Sequence, residues 1–250
     1  MDSEKKKKRS RYAPHISGAL GFLFIVLAIA FTISAFTSRD SITGRLSAGT
    51  LEITLLEENF DALPASQRQN IVPRRLTPKD PKVKNSDTTD AFVFLRVTVP
   101  VEEVTEAMPD GKRLDRKAQE LFYLMTENGK DSTQTCFNTT PASADDTEYW
   151  IELHDFEKGT DMSQSFRSYV FGYSIYLKTG ETTETLFDYA MLKNLVRSSA
   201  IEGSTVDITV EAAGIQADFL SDVLKETGKG RIIQTEETLS RVYSHIDSNR

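Results

Sequence analysis

The residues of this chain best suited to hold a metal ion are its histidines. His154 is followed by Asp155 and stands two residues after Glu152, so one imidazole and nearby carboxylates are available to a zinc ion. His245 lies near the C-terminus and His15 near the N-terminus. A zinc-peptidase helix needs two His four residues apart with a Glu between them as general base, and the chain has no such pair. We therefore expect no catalytic residue, no bound metal and no cofactor.

Other catalytic or binding motifs are equally weak. Gly228-Lys229-Gly230 lacks the spacing of a phosphate-binding loop. Asp145-Asp146 matches no calcium-loop template and lies in a stretch rich in Ser, Thr and Pro, which favours a solvated loop. Cys136 is the single cysteine, so the chain forms no intramolecular disulfide and depends on an apolar core for stability.

The elements that must position these residues are mainly strands. Five segments combine β-branched and aromatic residues, most of them alternating with polar ones, and are bounded by turn formers. Such a series, without regularly alternating helices, predicts two packed antiparallel sheets. The segments are Thr50–Leu55, Ala91–Val99, Tyr149–Leu153, Tyr169–Leu177 and Val206–Ala212.

Two further segments have the spacing of amphipathic helices. Leu114, Ala118, Leu121, Phe122 and Met125 share one helical face, which predicts a helix over Leu114–Thr126. That helix and the loop after it would form an insertion at about 101–147. A short C-terminal helix packed on the sheets is predicted by a second set of apolar residues, Leu239, Val242, Tyr243 and Ile246.

The N-terminus has the layout of an export signal. A Lys/Arg cluster at 5–11 precedes an uncharged run from Ile16 to Phe36, long enough to cross a bilayer as a helix. Ala35 precedes Phe36 at a site that half meets the A-x-A rule, so residues 1–35 are a cleaved signal or a permanent anchor. Either way, residues 36–250 are expected to form one domain outside the cytoplasm.

The exported part is acidic. The whole chain has a net charge of −7, and residues 1–35 carry six Lys and Arg against two acidic residues, which leaves −11 for the remainder. This charge argues against nucleic acid, whose phosphates need a basic surface. It also disfavours an anionic membrane surface, so membrane contact is expected only through residues 16–36.

Four stretches, in order along the chain, resemble the TasA/camelysin family of exported proteins from Gram-positive bacteria. The first looks like the strand that opens the mature proteins, and the second like a "P-x-V-x-N" entry to a strand. The third resembles an "L-x-P-G-E" segment with Thr179 in place of Pro, and the fourth a late strand with Gly214 in place of a common Ala. The stretches are Ser47–Ile53, Pro78–Val97, Leu177–Asp188 and Val206–Ala217.

The resemblance implies a jelly-roll β-sandwich and a non-enzymatic role at the cell surface or in the biofilm matrix. A SipW-type signal peptidase would cut between Ala35 and Phe36. Partners would be further copies of the chain or other matrix and envelope proteins, and the mature N-terminal segment would complete the sheet of the next subunit. The candidate donor strand contains Ser41, Ile42, Thr43 and Leu46. The alternative for that segment is a flexible terminus that simply precedes the first strand.

Two other functions stay open. Camelysin has been classed as a metallopeptidase, so a surface peptidase is one alternative. The other is an extracellular binding module that keeps its N-terminal helix in the membrane.

Overall fold

One long strand organises the fold. The computed structural model describes residues 51–69, 71–108, 110–196, 207–217 and 231–248. Strand β4, Ala91–Glu106, is buried over its first five residues, so both of its faces are covered there. Its β-branched and aromatic side chains suit an extended backbone. Burial on both faces explains why this sequence is continuously apolar instead of alternating.

The other elements are mostly short. The remaining strands are β1 Ile53–Leu56, β2 Leu76–Pro78, β3 Lys82–Asn85, β5 Lys117–Glu120, β6 Phe122–Met125, β7 Trp150–Glu152, β8 Phe166–Tyr173, β9 Tyr189–Leu192, β10 Leu195–Val196 and β11 Thr209–Gln216. The α-helices are α1 Glu58–Asp61, α2 Ala65–Gln69 and α3 Glu236–Asp247, with 3-10 turns at Glu127–Gly129 and His154–Phe156.

Every pairing between these strands is antiparallel. The first half of β4 lies between β11 and β8, and β7 adds to the outer side of β8. The second half of β4 pairs with β5 and β10. Strands β2, β9 and β6 form a second sheet, and β1 pairs with β3. The prediction of a mainly β protein with antiparallel sheets and a short C-terminal helix is confirmed, and the described residues belong to one compact unit.

The apolar interior has two parts, one on each face of the sheet β11-β4-β8-β7, because successive β4 side chains point to opposite faces. The first core contains Val93, Leu95 and Val97 of β4 with residues from all three sheets. The second core contains Phe92 and Phe94 of β4 and the buried residues of α3.

Helix α3 forms where its apolar spacing predicts. Thr235 caps it, since its hydroxyl accepts from the Thr238 N–H at 3.2 Å, and acidic Glu236 and Glu237 occupy the first turn. Gly172 leaves space for this helix to pack on the sheet, because a Cβ there would lie 3.1 Å from Leu239 Cδ1, closer than an ordinary van der Waals contact. The apolar face is fully covered: Leu239, Val242, Tyr243 and Ile246 are each at most 2% exposed.

The predicted helix over Leu114–Thr126 is wrong, and so is the helical character of the 101–147 insertion. Residues up to Glu106 continue β4, and the segment beyond forms β5 and β6. At Leu121 the chain leaves β4 and joins β9, so its side-chain alternation is interrupted there. This interruption puts apolar residues at helix-like intervals in a segment that is extended. From Lys130 to Thr147 the chain is a loop, as predicted.

One buried side chain connects two of the four stretches named above, Pro78–Val97 and Leu177–Asp188. The Asn85 amide donates to the carbonyl oxygens of Thr89 at 2.8 Å and Leu177 at 3.0 Å, and its oxygen accepts from the Asp87 N–H. Its backbone also exchanges hydrogen bonds with Gly180 and Glu181. Asn85 therefore connects the entry to β4 with the Leu177–Asp188 segment.

Candidate metal centre

The described residues contain one group of side chains able to hold a metal ion, and it lies just after β7. The ligand atoms of Glu152, His154 and Glu157 all lie within 4.8 Å of one another. Glu152 ends β7, His154 begins a 3-10 turn, and Glu157 follows that turn. The turn bends the chain so that three side chains from six consecutive residues converge.

His154 is oriented by the first residue of α3. Its Nδ1 lies 3.0 Å from Glu236 Oε1, and its backbone N–H donates to the same oxygen at 3.1 Å. This hydrogen bond raises the pKa of His154 and lowers the pKa of Glu236. A carboxylate only accepts, so Nδ1 carries the hydrogen. The other nitrogen, Nε2, faces Glu152 at 3.9 Å.

The two ligand carboxylates differ in exposure. The Glu157 side chain is 7% exposed and accepts from Arg167 at 3.4 Å, whereas the Glu152 side chain is 25% exposed. Burial, and then the negative charge of Glu157, raise the pKa of Glu152. Arg167 also lies 3.6 Å from Glu120, so one guanidinium contacts two carboxylates.

Next to this group is a buried tyrosine–glutamate pair. The Tyr169 hydroxyl donates to Glu120, and the Arg167 guanidinium stacks over the Tyr169 ring at 4.5 Å. Burial, reinforced by the negative charge of Glu120, raises the pKa of Tyr169 well above its usual value. Arg167 is thereby held between the ring and the carboxylates.

The structure brings together some of the histidine-site candidates and not others. Glu152 and His154 join the group, whereas Asp155 and His245 are not among its members. Sequence reasoning missed Glu157, although its position three residues after His154 was a local signal. It also missed Glu236, which is 82 residues from His154 and gives no signal in the sequence.

Asp146 and Cys136, two of the remaining motif candidates, make local contacts, whereas Gly228-Lys229-Gly230 lies outside the described residues. Asp146 accepts backbone hydrogen bonds from Glu148 at 2.9 Å and Ala142 at 2.7 Å, which lower its pKa and close a loop turn. This loop borders an open polar depression of about 710 Å³. The Cys136 thiol is partly buried and lies 3.6 Å from the Thr126 hydroxyl.

A second surface of interest is the outer edge of β11. Ala91, the register partner of Gln216, exchanges both of its backbone hydrogen bonds with Leu177 on the opposite side. The backbone groups of Gln216 therefore point away from β4, and by alternation so do those of Gly214, Ala212 and Val210. No strand in the described ranges pairs with this edge.

The N-terminal predictions fall outside the described residues. They concern the apolar run at 16–36, the cleavage site at Ala35 and Phe36, and the candidate donor strand with Ser41, Ile42, Thr43 and Leu46. Within the described ranges, no helix has both the length and the hydrophobicity that crossing a bilayer requires.

Comparisons with known proteins return no match. This holds for a scan of family models, a search of curated proteins and a search of solved structures.

Proposed function

We propose that this chain is an exported, non-enzymatic cell-surface or biofilm-matrix protein of TasA/camelysin type, built on a jelly-roll sandwich. It would work by self-association or by contact with other matrix and envelope proteins. The observation that carries the proposal is the outer edge of β11, an eight-residue strand with one side unpaired within the described structure. Backbone groups on such an edge can hydrogen-bond an added strand.

The strand that would be added comes from the mature N-terminus of another copy. In Ser41-Ile42-Thr43-Gly44-Arg45-Leu46, Ile42 and Leu46 fall on the same face of an extended chain. Main-chain hydrogen bonds would supply affinity, and these apolar side chains would supply specificity. The acidic charge of the exported part keeps subunits apart until an edge contact forms.

The first experiment follows processing. Intact mass and N-terminal sequence would be measured for the protein recovered separately from the membranes and the culture medium of the producing cells. A species beginning at Phe36 in the medium or matrix supports the proposal. A full-length species found only in membranes would favour the membrane-anchored binding module, because its N-terminal segment has no free end.

The second experiment tests the edge. In the mature species, Ala212→Pro removes an N–H that faces away from β4, so the subunit should fold but assemble poorly. Ala144→Pro, in the exposed loop, is the matched control and should assemble normally. Ile42→Asp tests the donor strand from the other side. Sedimentation and electron microscopy measure assembly, and circular dichroism checks folding. The proposal fails if the mature species stays monomeric under all conditions and binds no cell-surface component.

A camelysin-type peptidase is the second candidate, favoured by the convergence of Glu152, His154 and Glu157. One His and two carboxylates are ligand types found in zinc enzymes. Peptide hydrolysis by the purified protein, abolished by a chelator and by His154→Ala, would support it. Absence of hydrolysis by the zinc-loaded protein would exclude it.

A further inference from the structure

We propose that Glu152, His154 and Glu157 bind a divalent transition-metal ion of the zinc class, and that the ion fastens helix α3 to the sheet through Glu236. The role that we assign to the ion is structural, distinct from the peptidase candidate and independent of the assembly function proposed above. It joins the end of β7 to the start of α3.

The ligand atoms are already near bonding positions. Zinc binds imidazole nitrogen and carboxylate oxygen at about 2.0–2.2 Å, which in a tetrahedral site puts ligand atoms roughly 3.4 Å apart. His154 Nε2 and Glu152 Oε2 are 3.9 Å apart, and all three ligand atoms lie within 4.8 Å. The His154 side chain is 65% exposed, so an ion can reach it from solvent.

The environment of His154 is that of a metal ligand. Metal-binding histidines commonly donate their second ring N–H to a carboxylate, which fixes the tautomer and leaves the other nitrogen for the ion. Glu236 accepts that hydrogen bond at Nδ1, 3.0 Å away, and leaves Nε2 facing the carboxylates. Glu236 comes from a different element and is not one of the three ligands, so it is a separate indication of the same site.

The local charge also suits a divalent cation. Glu120, Glu152 and Glu157 are largely buried carboxylates, and Arg167 contacts two of them with a single positive charge. Glu236 adds a further negative charge at the edge. An ion bound between Glu152 and Glu157 would screen two neighbouring negative charges that otherwise repel each other.

The ligand set selects the class of metal. Imidazole is a preferred ligand of zinc and its first-row neighbours. Calcium prefers six to eight oxygen ligands, and this group offers two carboxylates and a nitrogen. We therefore expect the ion to be zinc or one of its first-row neighbours.

The test uses the full-length protein, purified in detergent and freed of metal with a chelator. Titration calorimetry with zinc chloride should show binding of one equivalent, with calcium chloride as the comparison ion. His154→Ala and Glu157→Gln should each weaken zinc binding by about tenfold or more. His245→Ala, which changes a histidine outside the group, is the matched control and should bind as wild type does.

Three results would overturn the metal site: zinc affinity unchanged in His154→Ala, equal loss in His245→Ala, or tighter binding of calcium than of zinc. Folding is checked by near-ultraviolet circular dichroism with chelator present. If Glu157→Gln is misfolded, Glu152→Gln takes its place.

The fastening of α3 has its own test. Glu236→Gln should weaken zinc binding about 10- to 100-fold, as loss of a supporting carboxylate does, whereas the neighbouring Glu237→Gln should not. Zinc should also slow amide hydrogen exchange in α3 of the wild-type protein. Tight zinc binding with unchanged exchange in α3, or with equal effects of the two Glu variants, would contradict this part of the proposal.

Discussion

The two faces of the central sheet are covered in different ways. On one face, Phe171 and the odd-numbered side chains from Ala91 to Val99 of β4 pack against strands of the other sheets. On the other face, Phe94 packs against Tyr243 of α3, with ring centres 5.1 Å apart. Strands within a sheet are joined by backbone hydrogen bonds, whereas the backbone hydrogen bonds of a helix form within the helix itself. The second core is therefore held mainly by side chains.

Polar contacts at the two ends of α3 supplement its apolar face. Glu236 at the start contacts His154, and Asp247 at the end accepts from Arg96 of β4 at 2.8 Å. Just before the helix, the Gln234 N–H donates to the Ser174 carbonyl oxygen at 2.7 Å. The difference between the faces indicates that α3 can separate from the sheet before the strands unfold.

Phe171→Ala should have the largest effect, because it opens a cavity in the first core. Phe171 is fully buried, and its ring centre lies 4.7 Å from that of Phe137. We expect unfolding free energy to fall by about 3–5 kcal/mol, measured by urea denaturation. Hydrogen exchange should become faster in the strands and in α3 together. Faster exchange confined to α3 would show that the first core does not hold the strands.

Leu239→Ala tests the second core and should act more locally. Leu239 is fully buried against the sheet, and its truncation should cost about 2–5 kcal/mol. Hydrogen exchange should become faster in α3, with β4 and β8 much less affected. Equal acceleration in the strands would mean that the helix and the sheets unfold as one cooperative unit.

Arg96→Ala tests the polar contact at the end of α3. The Arg96 side chain is 16% exposed, and its loss leaves Asp247 without this charge-assisted bond. We expect a loss of about 1–3 kcal/mol. Arg116→Ala is the control, because Arg116 and Glu103 form an exposed pair at 3.7 Å that should contribute about 0–1 kcal/mol. Equal losses from the two variants in urea denaturation would contradict the role of Arg96.

The smallest effect is expected from pH. Burial, and then the hydrogen bond to Glu106, raise the pKa of Tyr123 well above its usual value. The folded state therefore keeps a proton that the unfolded chain loses near pH 10, so stability should fall as pH rises past about 10. Tyr123→Phe should lose less stability than wild type between about pH 8 and pH 11. If the unfolding free energies of wild type and Tyr123→Phe, measured by urea denaturation, change in parallel with pH, this assignment is contradicted.

Much of the strand content and the C-terminal helix was predictable from sequence. Ala91–Val99 lies within β4, the predicted strand Val206–Ala212 overlaps β11 at 209–212, and all four apolar positions of α3 are buried. The extent of β4 was not predictable, since its last residues become less apolar. Of the three partners of His154, Glu152 and Glu157 are close to it in sequence and were predictable. Glu236 is distant in sequence and was not.

The sequence by itself determined the mainly β character, the location of α3 along the chain and the acidic charge, because local side-chain spacing and composition carry that information. Tertiary structure decided the conformation of Leu114–Thr126: its spacing suits a helix, but long-range pairing with β4 and β9 makes it two strands. It also decided the group around His154, since the contact with Glu236 depends on where α3 packs. Spacing along the chain records which residues are buried together locally, whereas contacts between distant segments follow from how the sheets and the helix pack.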